Sequence, residues 1–225
     1  MKTVNRKAVI GIMQTFVVLV PAVFLPGWSL RYWQGWACLL AFFVPASVIS
    51  AYVAKNDPAL LERRLKAGPR AEKETVQKVV QSVTAVVFLA DFVVPALDHR
   101  FGWSHVPAGI SIVSDLVIVL SFLIVFEVFK VNSFSSGVIE VAPEQKVIST
   151  GPYSIVRHPM YSGALLMLFA IPVALGSWWG LLGMIPMTVG IIVRLLDEER
   201  FLREKLRDYG EYRDTVRWRL VPLVW

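Results

Sequence analysis

Between His158 and Arg194 the chain runs for 35 residues without one charged side chain, "PMYSGALLMLFAIPVALGSWWGLLGMIPMTVGIIV". A helix rises about 1.5 Å per residue, so one continuous helix of this length would reach about 52 Å, well beyond the roughly 30 Å hydrocarbon core of a bilayer. The segment must therefore fold back. Residues 172–180, "PVALGSWWG", supply the Pro, Gly and Ser of a bend. The reading is two shorter helices, about 159–175 and 179–196, forming a tight hairpin.

Four further apolar runs precede it, at residues 8–28, 32–54, 76–97 and 106–129, each long enough for one crossing. Of the 225 residues 56% are hydrophobic and only 18% charged, with a mean hydropathy of +0.58, so lipid is part of the solvent. The fold class expected is all-α: a polytopic membrane protein with six membrane-embedded helices. Lys2, Arg6 and Lys7 ahead of the first run resemble a secretion signal. No small-residue cleavage pattern ends that run and a second follows at once, so it is read as the first helix. Cys38, the single cysteine, rules out an internal disulfide and a thiolate metal cluster, and no metal site is expected.

Charge placement orients the chain. If both termini share one side, that side carries 21 of the 23 Lys and Arg residues, leaving only Arg31 and Arg100 opposite. Because cytoplasmic loops concentrate basic residues, both termini and the large loops are expected in the cytoplasm, at the inner membrane if the source is bacterial. The same topology accounts for the net charge of +6, and no nucleic-acid-binding motif accompanies it, so nucleic acid is excluded as a partner. Oligomeric state leaves no mark in the sequence.

Residues 1–130 read as a four-helix membrane scaffold. Its loop 55–78 holds a short interfacial helix, with Asp57 and Pro58 suited to N-cap and first helical position and Leu60, Leu61 and Leu65 to its apolar face. Asp91, Asp115 and Glu127 stand out within the apolar runs, where structural roles are the first expectation. Residues 130–150 break every hydrophobic pattern and read as a loop with some extended structure, leading into "GPYSIVRHPMYSG" at 151–163.

In that stretch Gly151 and Pro152 mark a turn, and Pro159 suits a first helical position while holding His158 out of helical geometry. His158, Tyr161 and Gly163 then surround one small volume at a helix mouth, where free N–H groups favour an anion. The charge-free hairpin returns the chain to the same side at "RLLDEERFLREKL", residues 194–206. Arg194 and Glu198, and Glu199 and Arg203, are each four apart and suited to pair across one turn. Leu195, Leu202 and Leu206 form an apolar face beside which at least one of the two acids is partly buried. Gly210 is the expected helix end, followed by a basic aromatic tail suited to a membrane surface. A carboxylate for an ammonium, an arginine or helix mouth for a carboxylate, and aromatic faces for a cation meet the needs of S-adenosylmethionine. They equally suit other charged small ligands.

The pattern "GPYSIVRHPMYSG", the apolar hairpin and "EERFLREKLRDYGEYRDTVRWRLVP" together resemble the isoprenylcysteine carboxyl methyltransferase family and the related phospholipid N-methyltransferases, over about residues 149–222. The resemblance implies an integral membrane methyltransferase using S-adenosylmethionine, with its active site facing the cytoplasm. Residues 131–225 become the cofactor-binding region, comprising the hairpin and an amphipathic C-terminal helix. His158, Tyr161, Gly163, Glu198 and Glu199 become cofactor-binding residues. The acceptor implied is a membrane amphiphile, either the carboxylate of an isoprenylcysteine-like substrate or a lipid headgroup. Arg194 or Arg203 would orient it by bidentate pairing, as the catalytic arginine. Two other readings of the residues stay open. One is a membrane sterol or enone reductase using NADPH, which shares an Arg-His-Pro element; the other is a non-enzymatic transport or scaffold protein.

Overall fold

A computed structural model describes residues 2–225. Every regular element among them is helical: α1 (Lys2–Gly27), α2 (Trp33–Asn56), α3 (Pro58–Leu65), α4 (Thr75–Phe101), α5 (Ala108–Val131), α6 (Pro159–Ala174), α7 (Met184–Lys205) and α8 (Tyr209–Thr215). Short 3-10 turns at Gly151–Ser154 and Trp179–Gly183 lead into α6 and α7. The loop 132–150 contains no strand.

Among the described residues five segments are long and apolar enough to cross a membrane: Val4–Gly27, Trp33–Asn56, Thr75–Phe101, Ala108–Val131 and Trp179–Lys205. The expected sixth, α6, has only 16 residues, about 24 Å of helix, and falls short of a full span. It ends because Pro172 lies near its C-terminus and Gly176 turns the chain at φ 82°, a backbone conformation costly for any residue with a Cβ. The second arm also departs from its expected bounds, running as one helix to Lys205 rather than stopping near 196. This continuity makes the acids of 197–199 part of a rigid rod. The helix end expected at Gly210 lies instead at Lys205. The chain reverses at Asp208 in the left-handed region (φ 67°), which Asp tolerates better than most residues, and Gly210 falls inside α8.

The core sits where α2, α4 and α5 bring Phe42, Phe88, Phe92 and Phe122 together in edge-on pairs, with α1 and α6 packed around them. Gly163 allows α6 to lie close along α5: a Cβ there would stand 3.2 Å from the Ser121 carbonyl and 3.3 Å from Ile124. One end of the bundle is tied by Asp98, which accepts from the Ser104 backbone N–H at 2.7 Å and from the Ser104 and Ser177 hydroxyls. There Tyr32 stacks on His99 and donates to the Leu175 carbonyl.

At the other end Asp57 caps α3 by accepting from the Leu60 N–H at 2.9 Å, and Pro58 takes the first turn. Leu60 and Leu61 are buried against Ala8, Ile49 and Val53, while Leu65 is only partly covered. The basic face of α3 holds the loop 132–150. Arg63 donates to the Ser133 carbonyl and Arg64 to the Ser136 carbonyl at 2.6 Å.

The close α5–α6 contact yields the first prediction. Gly163→Leu should cost about 1–3 kcal/mol through overpacking. Gly11→Leu, where an added Cβ meets nothing within 4 Å, should leave the unfolding temperature of the detergent-solubilised protein unchanged.

Candidate functional site

Local chain chemistry builds the site from the mouth of α6. Gly151 (φ 58°) and Pro152 form a 3-10 turn, after which His158 sits at φ −126°, ψ 61°, outside helical geometry, with Pro159 opening α6. The Arg157 and His158 N–H groups, which no helix can use, donate instead to the carbonyls of Trp218 (2.8 Å) and Arg219 (3.0 Å). Ser162 adds a hydroxyl bond to the Leu220 carbonyl at 2.6 Å. The tail after α8 therefore docks on the start of α6.

Glu199 locks this arrangement. Its Oε1 lies 3.2 Å from both His158 Nε2 and Arg157 Nη1, and its Oε2 accepts from Arg219 Nε at 3.1 Å. Glu199, Arg157 and His158 are all buried. One carboxylate thus joins α7, the α6 mouth and the tail. It does so in place of the pairing with Arg203 expected from their i,i+4 spacing.

One turn-face away a second polar chain forms. Tyr161 donates its hydroxyl to Glu198 Oε2 at 2.6 Å and accepts from Arg194 Nε at 3.1 Å. The expected Arg194–Glu198 contact is thus bridged by Tyr161. Of the four other Arg194 N–H donors, three go to Glu72 (2.7 Å), Gln77 (3.1 Å) and the Gly137 carbonyl (3.0 Å), which leaves one on Nη2. Glu72 is buried and also accepts from Gln81 at 2.6 Å. A single guanidinium therefore straps loops 66–74 and 132–150 over the end of the bundle. Double pairing of that kind suits a planar fork and not an ammonium.

Beneath the strap lies a cavity of about 380 Å³, within the usual range for small-ligand sites. His158, Tyr161, Arg194 and Glu198 line it, joined by Arg64, Arg157, Tyr153, Tyr209 and Tyr212. Its inner limb is apolar, walled by Val80 and Thr84 of α4 and by Met187, Gly190 and Ile191 of α7. Of the residues expected to bind cofactor, His158, Tyr161 and Glu198 face the cavity. Glu199 stands behind its wall in the buried charge cluster. Gly163 lies at the α5–α6 contact and not on the cavity. Of the two candidate arginines, Arg194 faces the cavity, whereas Arg203 is exposed and does not line it.

Tyr153, Tyr209, Tyr212, Arg157 and Arg64 were not among the expected site residues. Tyr153 receives a bond from Asn132 at 2.7 Å, and burial pushes its phenol up to about 12. Burial also raises the Tyr209 and Tyr212 phenols, so all three stay protonated at neutral pH, and Tyr212 donates to the Tyr153 carbonyl at 2.8 Å. Burial lowers the Arg64 and Arg157 guanidinium groups, which nonetheless remain cationic. The Tyr209 hydroxyl and Arg157 Nε are buried without a partner among the described residues. Two donors at the wall of a cavity are thereby left for a ligand. The only sequence signal for these groups was the recurrence of Tyr near the polar segments. Nothing marked Arg64 beyond its place in a short amphipathic helix.

The charge cluster predicts a sharp contrast. Glu199→Gln strands buried cations and should cost about 3–5 kcal/mol, freeing the tail for proteolysis. Arg203→Ala should change neither the unfolding midpoint nor the cleavage pattern.

Comparison with known proteins bears on the same region. No curated protein matches the chain. Residues 110–209 match the family model described as phospholipid methyltransferase, a segment of less than half the chain that reaches from the start of α5 to Tyr209 and contains His158, Tyr161, Arg194, Glu198 and Glu199.

Proposed function

We propose that the protein is an S-adenosylmethionine-dependent methyltransferase acting on an amphiphilic acceptor drawn from the bilayer. The observation that carries this reading is that four polar side chains of the family-matched segment, His158, Tyr161, Arg194 and Glu198, converge on one cavity with an apolar limb. The residues fit the cofactor's chemistry. Glu198 suits its ammonium or ribose hydroxyls, the unpartnered Tyr209 hydroxyl and Arg157 Nε its remaining acceptors, and the tyrosine faces its adenine and sulfonium. When bound, the cofactor supplies an electrophilic methyl group.

The protein's own contribution is alignment. Arg194, held by Glu72, Gln77 and Tyr161, orients an acceptor carboxylate or phosphate. The limb between α4 and α7 takes its apolar tail. A carboxylate acceptor is nucleophilic enough without a strong base, so positioning and exclusion of water account for the rate. The strap formed by loops 66–74 and 132–150 supplies that exclusion. The acceptor class is an isoprenylcysteine-like carboxylate or a lipid headgroup, with the site facing the cytoplasm. The concentration of Lys and Arg in the loops at this end supports that orientation.

Transfer of labelled methyl from S-adenosylmethionine into a lipid extract, followed by identification of the labelled species, tests the activity. Binding of NADPH with none of S-adenosylmethionine or its demethylated product would instead support a reductase. Tyr161→Phe and Glu198→Gln should each weaken cofactor binding about tenfold in calorimetric titration, the loss of one charge-assisted hydrogen bond. Arg194→Lys should lower turnover with little change in cofactor affinity. Arg203→Lys should turn over like the wild type.

A further inference from the structure

Asp91 has no place in the site above. It lies on α4, 14 residues beyond Gln77, about 21 Å along the helix toward the end tied by Asp98. The residue is 1% exposed, and neither carboxylate oxygen has a hydrogen-bond partner among the described residues. The Ser104 and Ser177 hydroxyls at that end donate to Asp98 instead. A buried carboxylate left unpartnered in an apolar bundle is costly, and such groups in membrane segments mark ligand or ion sites.

Asp91 also lines a cavity of about 620 Å³, separate in its lining residues from the first. Its walls are Ala90 and Val94 beside Asp91, then Trp103, Trp179, Leu182 and Gly183. Trp103, Trp179 and Leu182 are about half exposed, which places the mouth at the protein surface. Gly183 makes room for the acid, since a Cβ there would collide with Asp91 Oδ1.

The geometry points to a second ligand site, in which Asp91 receives the ammonium group of an organic amine and the indoles of Trp103 and Trp179 face the cation. A metal ion is a poor match, because Asp91 is the only acidic side chain in the lining and hard cations require about six oxygens. The volume is far beyond the ~30 Å³ share of one water. An organic ammonium needs what is present: one counter-charge and aromatic faces. The amine is carried by a lipid headgroup or by a free small molecule, and the chemistry recognised is the same.

The full chain, purified in maltoside, is titrated by calorimetry with choline, with dihexanoylphosphatidylcholine, and with a neutral glyceride of the same chain length. At least one amine probe should bind, and Asp91→Asn should weaken that binding tenfold or more while its unfolding temperature stays within a few degrees of wild type. Binding of both amine probes identifies a site for free amines. Binding of the phospholipid alone identifies a headgroup site. Wild-type affinity in Asp91→Asn, no binding of either amine probe, or equal binding of the glyceride would overturn the assignment. Should Asp91→Asn fail to fold, Trp179→Leu at its half-exposed position decides: a severalfold loss supports the site, and unchanged affinity overturns it.

Discussion

Everything at the working end depends on how Glu199 is neutralised. A carboxylate on the buried face of α7 must find partners close by, and it finds the guanidinium groups of Arg157 and Arg219 and the imidazole of His158 from two other segments. Satisfying it fixes the mouth of α6 and the docking of the tail together. The N–H groups of Arg157 and His158 are satisfied by the same tail, so backbone and side-chain demands agree. With α7 thus clamped, its adjacent acid, Glu198, is turned about 100° around the helix and faces the cavity. Two neighbouring glutamates therefore do different work, one holding the wall and the other forming its inner surface.

The strap above the cavity follows the same logic on the opposite side. Arg194 is too deeply placed to be left to water, and loops 66–74 and 132–150 supply its acceptors in Glu72 and the Gly137 carbonyl. Both loops are also held by the basic face of α3 or by Gln81, so closure over the cavity and the solvation of one arginine are a single event. Glu72, Gln77, Gln81 and Arg64 all lie before residue 110, outside the family-matched segment, and Arg219 lies beyond its end. Parts of the strap and the docked tail thus lie outside the matched segment. The two ends of the bundle are also polar in different ways: one is rich in arginine, while the other relies on Asp98, serine hydroxyls and the Tyr32–His99 stack.

The helical fold was largely legible from residue patterning. Apolar runs of crossing length, the Asp57–Pro58 helix start and the return of the chain after "PVALGSWWG" all rest on local chemistry, and α2, α4, α5 and α6 lie within a few residues of their expected bounds. Errors came where a local rule met a competing long-range partner. Spacing of four residues suggested Arg194–Glu198 and Glu199–Arg203 pairs, each worth a few tenths of a kcal/mol on an exposed helix. Buried partners from distant segments outweigh so small a preference. Gly210 was a reasonable stop signal, but Asp208 made the reversal first. The helix expected at 159–175 ends within one residue of that bound, at the Pro172–Gly176 bend, whereas α7 runs on past its expected end to Lys205 because nothing in 197–205 breaks a helix.

By itself, the sequence determined that the chain is helical and membrane-embedded, and that a polar segment around His158 is brought back against one around Glu198. Hydrophobic length, proline and glycine placement and the distribution of Lys and Arg are properties of the chain read in order. Only the tertiary structure decided that Glu198, not Glu199, faces the cavity, that Arg194 and not Arg203 reaches it, and that Glu72 and Arg64 belong beside them. Those choices turn on about 100° of helix phase and on contacts across more than a hundred residues, such as Arg194 with Glu72. They are settled by which arrangement leaves the fewest buried charges without partners.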